Sequence, residues 1–238
     1  ALTKRRKARR WQVRLALAEG LLAYRHETAV KAMIDLLGDK RMRVRLGAAE
    51  TLSDLTGQDH GTSQKAWAKW LRKQKGELNL LPPDARPKRS EDDRRRYAFS
   101  HNQFFSARIR SDRVVLVLDK SESMYWGLFD QVIEEVAACL SSALPTTFFG
   151  LIEFDDVPRS WQKKLSPANS ANAEGAIGFM QRKKPHGATN IIDSVRMALA
   201  IPDVDSIVLL SDGLPNRGEP EGTKAILDEV RRENRDTR

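Results

Sequence analysis

The sequence predicts two architectures in one chain: an all-α helical domain first and then, after a linker, an α/β doubly wound domain with a mostly parallel sheet. Three observations predict this. Apolar residues recur at three- and four-residue spacing up to about residue 75, whereas beyond residue 104 they come in short continuous runs that alternate with helical segments. The stretch between, which includes PPDARPKRSEDDRRRY, mixes prolines and charge without any period. The charge also changes sign along the chain. Residues 1–110 hold 26 Lys and Arg against 12 Asp and Glu, a net +14, and residues 111–238 hold 15 against 20, a net −5.

These observations place domain 1 at 1–76, a charged Pro-containing linker at 77–103 and domain 2 at 104–238. In the first, WQVRLALAEGLLA (11–23), HETAVKAMIDLLG (26–38) and RMRVRLGAAETLSDLTG (41–57) are amphipathic helices joined by short turns, which makes neighbours antiparallel. Gly47 and Ala48 permit close approach of another helix, and Gly57 is a C-terminal stop. A fourth helix, SQKAWAKWLRKQK (63–75), presents Trp67, Trp70 and Leu71 on one face and gathers cations in its last turns, where the helix dipole favours them.

In the second domain FFSARIRSD (104–112) alternates as a short edge strand, followed by the apolar strand Val114–Leu118. A helix from about Tyr125 to Leu144, a strand at 146–154 and a return strand near 159–165 come next. Helices at 172–182 and 190–199, a strand at 206–212 and a helix from Glu221 to about Asn234 complete the chain. Continuous apolar strands with helical crossovers predict a mostly parallel sheet covered on both faces, with ligands beyond its carboxyl edge. The single cysteine, Cys139, falls in an apolar helical pattern and reads as a small buried residue.

Two strands end at that edge in an acid, at Asp119 and Asp212. The turn after the first crowds oxygen side chains at alternate positions, Asp119, Ser121 and Ser123, and the loop HGATNI adds Thr189. Five oxygen-bearing residues with no imidazole or thiolate suit a hard cation such as Mg²⁺, or Mn²⁺, rather than zinc. Three are neutral hydroxyls, so a bound cation keeps charge to attract a further anion. Each residue also has an ordinary reading: Ser121 or Ser123 as a helix cap, Thr189 as an N-cap, Asp212-Gly213 as a turn. Glu153, Asp155 and Asp156 read as a solvated acidic turn.

Taken in order, DxSxS at 119–123, the Thr of GATN and the Asp of LLSDG resemble the metal-ion-dependent adhesion site of a von Willebrand factor type A domain, over about residues 104–238. The resemblance implies that Ser121, Ser123 and Thr189 ligate the metal, that Asp119 and Asp212 hold its waters, and that the carboxylate of a partner protein completes the coordination. It thus implies a metal-dependent protein–protein interaction module, for adhesion or scaffolding, and not an enzyme. Glu122 stands where that family usually has Gly, so a loop requiring positive φ there is strained by about 1 kcal/mol. Ala188 replaces another frequent Gly. In the first domain, the helix pair 26–37 and 41–55, with the Asp39-Lys40-Arg41 turn and the Val44-Arg45 pair, resembles a HEAT repeat. LTGQDHGTSQKAWAKWL is similar to the closing segment of some bacterial HEAT arrays. A small helical bundle is the plainer alternative.

Other classes fit less well. Phosphatases of the haloacid dehalogenase type also open on an apolar strand ending in Asp, but they place a second Asp two residues on, where this chain has Ser121. No GxSxG, P-loop or HExxH occurs, and the four His residues lack ligand spacing. The basic stretches TKRRKARR and DRRRY make a nucleic-acid-associated scaffold the alternative function, although no aromatics interleave with the charge. There is no transmembrane-length apolar run. Because the chain opens on Ala, and because strand 206–212 and the helix face Ala225, Ile226 and Val230 are expected to lack full cover, the sequence reads as a fragment missing its natural ends, with domain 2 truncated C-terminally.

Overall fold

The computed structural model describes residues 6–74, 78–82, 85, 104–105, 109–219 and 222–236, and the chain divides into two units, Ala1–Arg96 and Tyr97–Arg238. Most of the expected linker 77–103 lies outside the described residues.

Among its described residues the first unit has four α-helices: α1 (Trp11–Gly20), extended by a 3-10 turn (Leu21–Ala23), α2 (Glu27–Leu36), α3 (Met42–Thr56) and α4 (Gln64–Lys73). Their limits follow from local chemistry. The His26 ring accepts from the Thr28 N–H to start α2, the Ser63 hydroxyl accepts from the Ala66 N–H to start α4, and Gly57 closes α3 at φ 70°. Gly47 is where α1 comes near α3: a Cβ there would sit 2.5 Å from Leu15 Cδ1, so any larger residue requires the Leu15 side chain to shift. Leu17, Val30, Met33, Leu52, Leu55 and Trp67 fill the core, each fully buried aliphatic side chain contributing about 1.5–3 kcal/mol. Trp70 and Leu71 pack against that core, as do Leu78 and Leu80, and the Leu81 N–H donates to the Leu55 carbonyl at 2.7 Å.

The Asp39 turn between α2 and α3 is built on a buried ion pair. Arg14 Nε donates to Asp39 Oδ2 at 2.5 Å and Nη2 to Oδ1 at 2.9 Å, the Arg41 N–H reaches Oδ1, and Arg45 Nη1 caps the Asp39 carbonyl. Burial alone would raise the Asp39 carboxyl, but the bonds from Arg14 and the Arg41 N–H, with the Arg14 and Arg45 charges, hold it below its usual value.

Among its described residues the second unit has a five-stranded sheet, β1 (Arg113–Asp119), β2 (Phe148–Phe154), β3 (Pro158–Ser160), β4 (Ser166–Pro167) and β5 (Ser206–Leu210), in the order β3-β2-β1-β5 with β4 also on β2. β2, β1 and β5 run parallel, and the short β3 and β4 return antiparallel. Helices α5 (Leu128–Ser141), α6 (Ser170–Met180) and α7 (Ile191–Leu199) lie in the crossovers, and α8 (Thr223–Asp236) follows β5. Val115, Val117, Ile152 and Phe154 face α7 and α8 in one apolar cluster, and the alternate residues Leu116, Leu118, Phe149 and Leu151 are fully buried on the other side. This is the mostly parallel, doubly wound α/β arrangement the sequence predicts. Cys139 is buried in α5, where burial and the Glu135 carboxylate push its thiol up to about 12.

Three local expectations need correction. The edge strand at 104–112 does not form among the described residues: Phe104 makes an isolated bridge and Phe105 turns at φ 51°, a conformation incompatible with a ladder. The predicted helix start at Tyr125 is a separate 3-10 turn (Glu122–Tyr125), and α5 begins only after Gly127 at φ 83°. Ile226 is not without cover; it is 5% exposed in the cluster with α7, and Arg196 of α7 bonds Glu229 and Glu233 of α8. β5 is the outer strand of the described sheet, and Leu209 on it is 41% exposed.

Candidate metal centre

The parallel register sets Asp119 opposite Phe154 at the carboxyl end of β1, with Leu118 opposite Leu210 of β5. Lys120 N–H donates to the Phe154 carbonyl at 2.7 Å, which ends the ladder and turns the chain over the sheet. From there Asp119 Oδ1 accepts from the Ser121 N–H at 2.8 Å, and Oδ2 accepts from the Ser211 hydroxyl. Ser121 Oγ lies 3.1 Å from Ser123 Oγ, and the Ser123 hydroxyl donates to Asp212 Oδ1 at 2.9 Å. Thr189 sits beside them: a Cβ on Gly213 would be 3.9 Å from Thr189 Oγ1. The fold therefore links Asp119, Ser121, Ser123 and Asp212, from positions up to 93 apart, at the sheet edge, with Thr189 next to Gly213.

Neither serine nor Thr189 serves as a side-chain helix cap, while Asp212-Gly213 does bend the chain as its turn reading expects. Ser121 precedes the 3-10 turn without a side-chain capping bond, and α5 starts from Gly127. Asn190, not Thr189, caps α7. Glu122 opens the 3-10 turn and is absent from the positive-φ residues, so the strain anticipated there does not arise. Asp119, Ser121 and Thr189 are buried, at 0, 2 and 4% exposure, whereas Ser123 and Asp212 are exposed. The cluster is thus buried at Asp119, Ser121 and Thr189 and open to solvent at Ser123 and Asp212.

Three loops are sewn together to hold it. His186 N–H donates to the Lys120 carbonyl at 3.0 Å and Glu122 N–H to the Gly187 carbonyl at 3.2 Å. Gly187 has φ 77°, and a Cβ there would lie 2.3 Å from Asp156 Oδ2. Asn190 N–H reaches the Asp155 carbonyl and its side chain the Asp156 carbonyl, both at 3.0 Å. On the other side, Asn216 Oδ1 accepts from the Thr189 N–H at 2.7 Å and its own N–H donates to the Thr189 carbonyl. Ser211 and Asn216 were not foreseen. Ser211, directly before Asp212 at a strand end, was readable as a further oxygen, whereas nothing periodic marks Asn216 in its loop.

Beneath the cluster runs a buried ion chain. Lys120, 0% exposed, turns away from the oxygens: Nζ donates to Glu153 Oε2 at 2.8 Å and to the Met180 carbonyl at 2.6 Å, 4.9 Å from the Phe129 ring centroid. Arg159 Nε donates to Glu153 Oε1 at 3.2 Å, while its two terminal nitrogens take both oxygens of Asp155 at 2.9 and 2.5 Å. Burial would raise the Asp155 carboxyl, but the Arg159 bonds, the Val157 N–H and the Arg159 and His186 charges keep it low. Glu153 and Asp155, 2 and 1% exposed, are therefore not a solvated turn. Their sequence pattern hid this because each counter-charge comes from elsewhere.

Two groups of residues can be weighed as cation sites. Asp155, Asp156 and His186 bring ligand atoms within 4.8 Å of one another, but Arg159 occupies both Asp155 oxygens and Arg217 holds Asp156 Oδ1 at 2.9 Å. An arginine that never deprotonates is a poor neighbour for a metal, and this set reads as an ion-pair network. The Asp119, Ser121, Ser123, Thr189 and Asp212 set fits better: its donors are all oxygen, two are carboxylates, and the cation within the motif, Lys120, points away. These residues could hold a small hard divalent ion.

Comparison with known proteins bears on both units. The family model described as von Willebrand factor type A domain matches residues 114–214, and that of HEAT repeats matches residues 1–68. Inter alpha-trypsin inhibitor, heavy chain 4 of Mus musculus is 33% identical over 125 residues, 48% of this chain and 13% of that protein. Von Willebrand factor A domain-containing protein 3B of Homo sapiens is 27% identical over 132 residues, 55% of this chain and 10% of that protein. The chain thus spans only a small part of the length of these relatives. Among solved structures, a von Willebrand factor type A protein from Catenulispora acidiphila superposes with a TM-score of 0.42 at 20% identity, over 51% of this chain and 30% of that one. The chain carries a von Willebrand factor type A domain preceded by HEAT-like helical repeats.

Proposed function

We propose that the type A domain is a metal-dependent protein-interaction module, with Mg²⁺ or Mn²⁺ held by Asp119, Ser121, Ser123, Thr189 and Asp212 and completed by an acidic side chain of a partner protein. The observation that carries this reading is the chain of contacts Ser121–Ser123–Asp212, at 3.1 and 2.9 Å, made by hydroxyls that cap no helix. A bound divalent ion would supply an electrophilic position open to an external carboxylate. Within the protein, Ser121, Ser123 and Thr189 present hydroxyl oxygens. Asp119 is oriented by the Ser121 N–H and Ser211, and Asp212 by Ser123. Hydroxyls leave more of the ion's charge unmatched than carboxylates would, which favours an acidic ligand. The exposed side of the cluster, at Ser123 and Asp212, leaves room for one. The heavy-chain and type A relatives support the interaction class rather than catalysis.

Isothermal calorimetry of the intact chain with Mn²⁺ and Mg²⁺ tests this. The wild type is expected to bind one divalent ion, and Asp119→Ala and Thr189→Ala to lose at least ten-fold in affinity. Equal binding by all three proteins would refute the assignment.

A further inference from the structure

The face that carries the oxygen cluster also carries apolar side chains for which the metal chemistry has no use. Tyr125 and Trp126, directly after the DxSxS turn, are 46 and 87% exposed, and Leu214, two residues past Asp212, is 78% exposed. Their loops meet at the cluster, since Ser123 bonds Asp212. Trp126 is not on a loose segment: the Gly127 N–H donates back to the Tyr125 carbonyl at 2.7 Å and Gly127 takes φ 83°, so the backbone turn holds the indole outward. Exposed apolar groups clustered in this way mark an interaction surface, and Trp and Tyr are the residues that most often concentrate binding energy.

Charge on this face selects the occupant. Lys184 Nζ lies 5.9 Å from the Tyr125 ring centroid, and Arg182 and Lys183 of the same segment are exposed. The acids of the neighbouring loop are matched, Asp155 by Arg159 and Asp156 by Arg217. Against these cations stand the exposed Glu122 and the exposed Asp212, whose charge a bound divalent ion would offset. A second copy docking through the same face would set these cations against each other.

We infer that the cognate segment is an acidic residue flanked by aromatic or large apolar side chains, the flanks covering Trp126, Tyr125 and Leu214 while the carboxylate enters the oxygen cluster. The carboxylate's place rests on the proposed metal centre; the apolar flanks rest on Trp126 and Leu214.

The test uses the intact chain with Mn²⁺ and three short labelled peptides: Asp between two Phe, Asp between two Ser, and Asn between two Phe. Fluorescence polarisation should rank the first about ten-fold tighter than the second and show no binding of the third. Trp126→Ser should bring the first two to parity while Mn²⁺ uptake, measured by calorimetry, stays unchanged. Equal affinity for Phe- and Ser-flanked peptides, a preference that survives both Trp126→Ser and Leu214→Ser, or a Mn²⁺-loaded chain that binds no peptide would overturn the inference and leave the metal centre standing. A chain that takes up no Mn²⁺ but keeps the Phe preference would sink the metal reading alone. Binding to phosphatidylserine vesicles that is indifferent to EDTA and lost in Trp126→Ser would assign the surface to a membrane instead, and overturn it.

Discussion

Replacing Lys120 by Met removes one partner of a buried ion pair while nearly preserving side-chain volume. Glu153, 2% exposed, would keep only the 3.2 Å bond from Arg159, and the Met180 carbonyl would lose the donor 2.6 Å away. Removing one member of a buried pair costs about 3–5 kcal/mol, and the residual Arg159 contact argues for the lower end, about 3 kcal/mol. With urea m-values of about 1–3 kcal/mol/M, the midpoint should fall by at least 1 M. Adding Glu153→Gln removes the uncompensated charge and should restore about half the loss. Native-state hydrogen exchange of the β1 and β2 amides across a urea series reads this unit without interference from the helical one. A loss below about 0.5 kcal/mol for Lys120→Met, or a double variant less stable than the single, would refute the reasoning that Lys120 compensates the buried Glu153 charge.

Asn216→Ala should weaken Mn²⁺ binding about ten-fold in calorimetry with little change in stability, because it frees the Thr189 backbone without emptying the core. Gly187→Ala should destabilise the second unit by about 1–3 kcal/mol in urea denaturation, since φ 77° and the Asp156 carboxylate both oppose a Cβ. In the first unit the Asp39 carboxyl lies below its ordinary 3.8, so its contribution is full above that value and is lost as pH falls through the lower folded pKa. Acid titration by circular dichroism should show the helical unit of Asp39→Asn already weakened at neutral pH, with a shallower further loss below about pH 4 than the wild type.

Elements set by local chemistry were legible from the sequence: the apolar run of β1 with Asp119 at its end, the helix that stops at Gly57, and the DxSxS turn with its later Thr and Asp. Each depends on side-chain period, on a φ that only glycine takes freely, or on a motif spacing, and such properties are written in neighbouring residues. What Lys120 does was not legible. Its partners, Glu153 and the Met180 carbonyl, lie 33 and 60 residues away, and only the pairing of β1 with β2 and the placing of the α6 end bring them to it. The same holds for Glu153 and Asp155, which read as solvated until Arg159 on the returning β3 covers them. The stretch 104–112 alternates like a strand, yet a ladder needs successive pairs with φ below zero, and after the single bridge at Phe104 the chain turns at Phe105 with φ 51°. The sequence by itself determined which residues carry oxygen at the sheet edge. The tertiary structure decided which of them meet, because a contact between β1, the loop before α7 and the end of β5 depends on strand order and crossover, which no local pattern encodes.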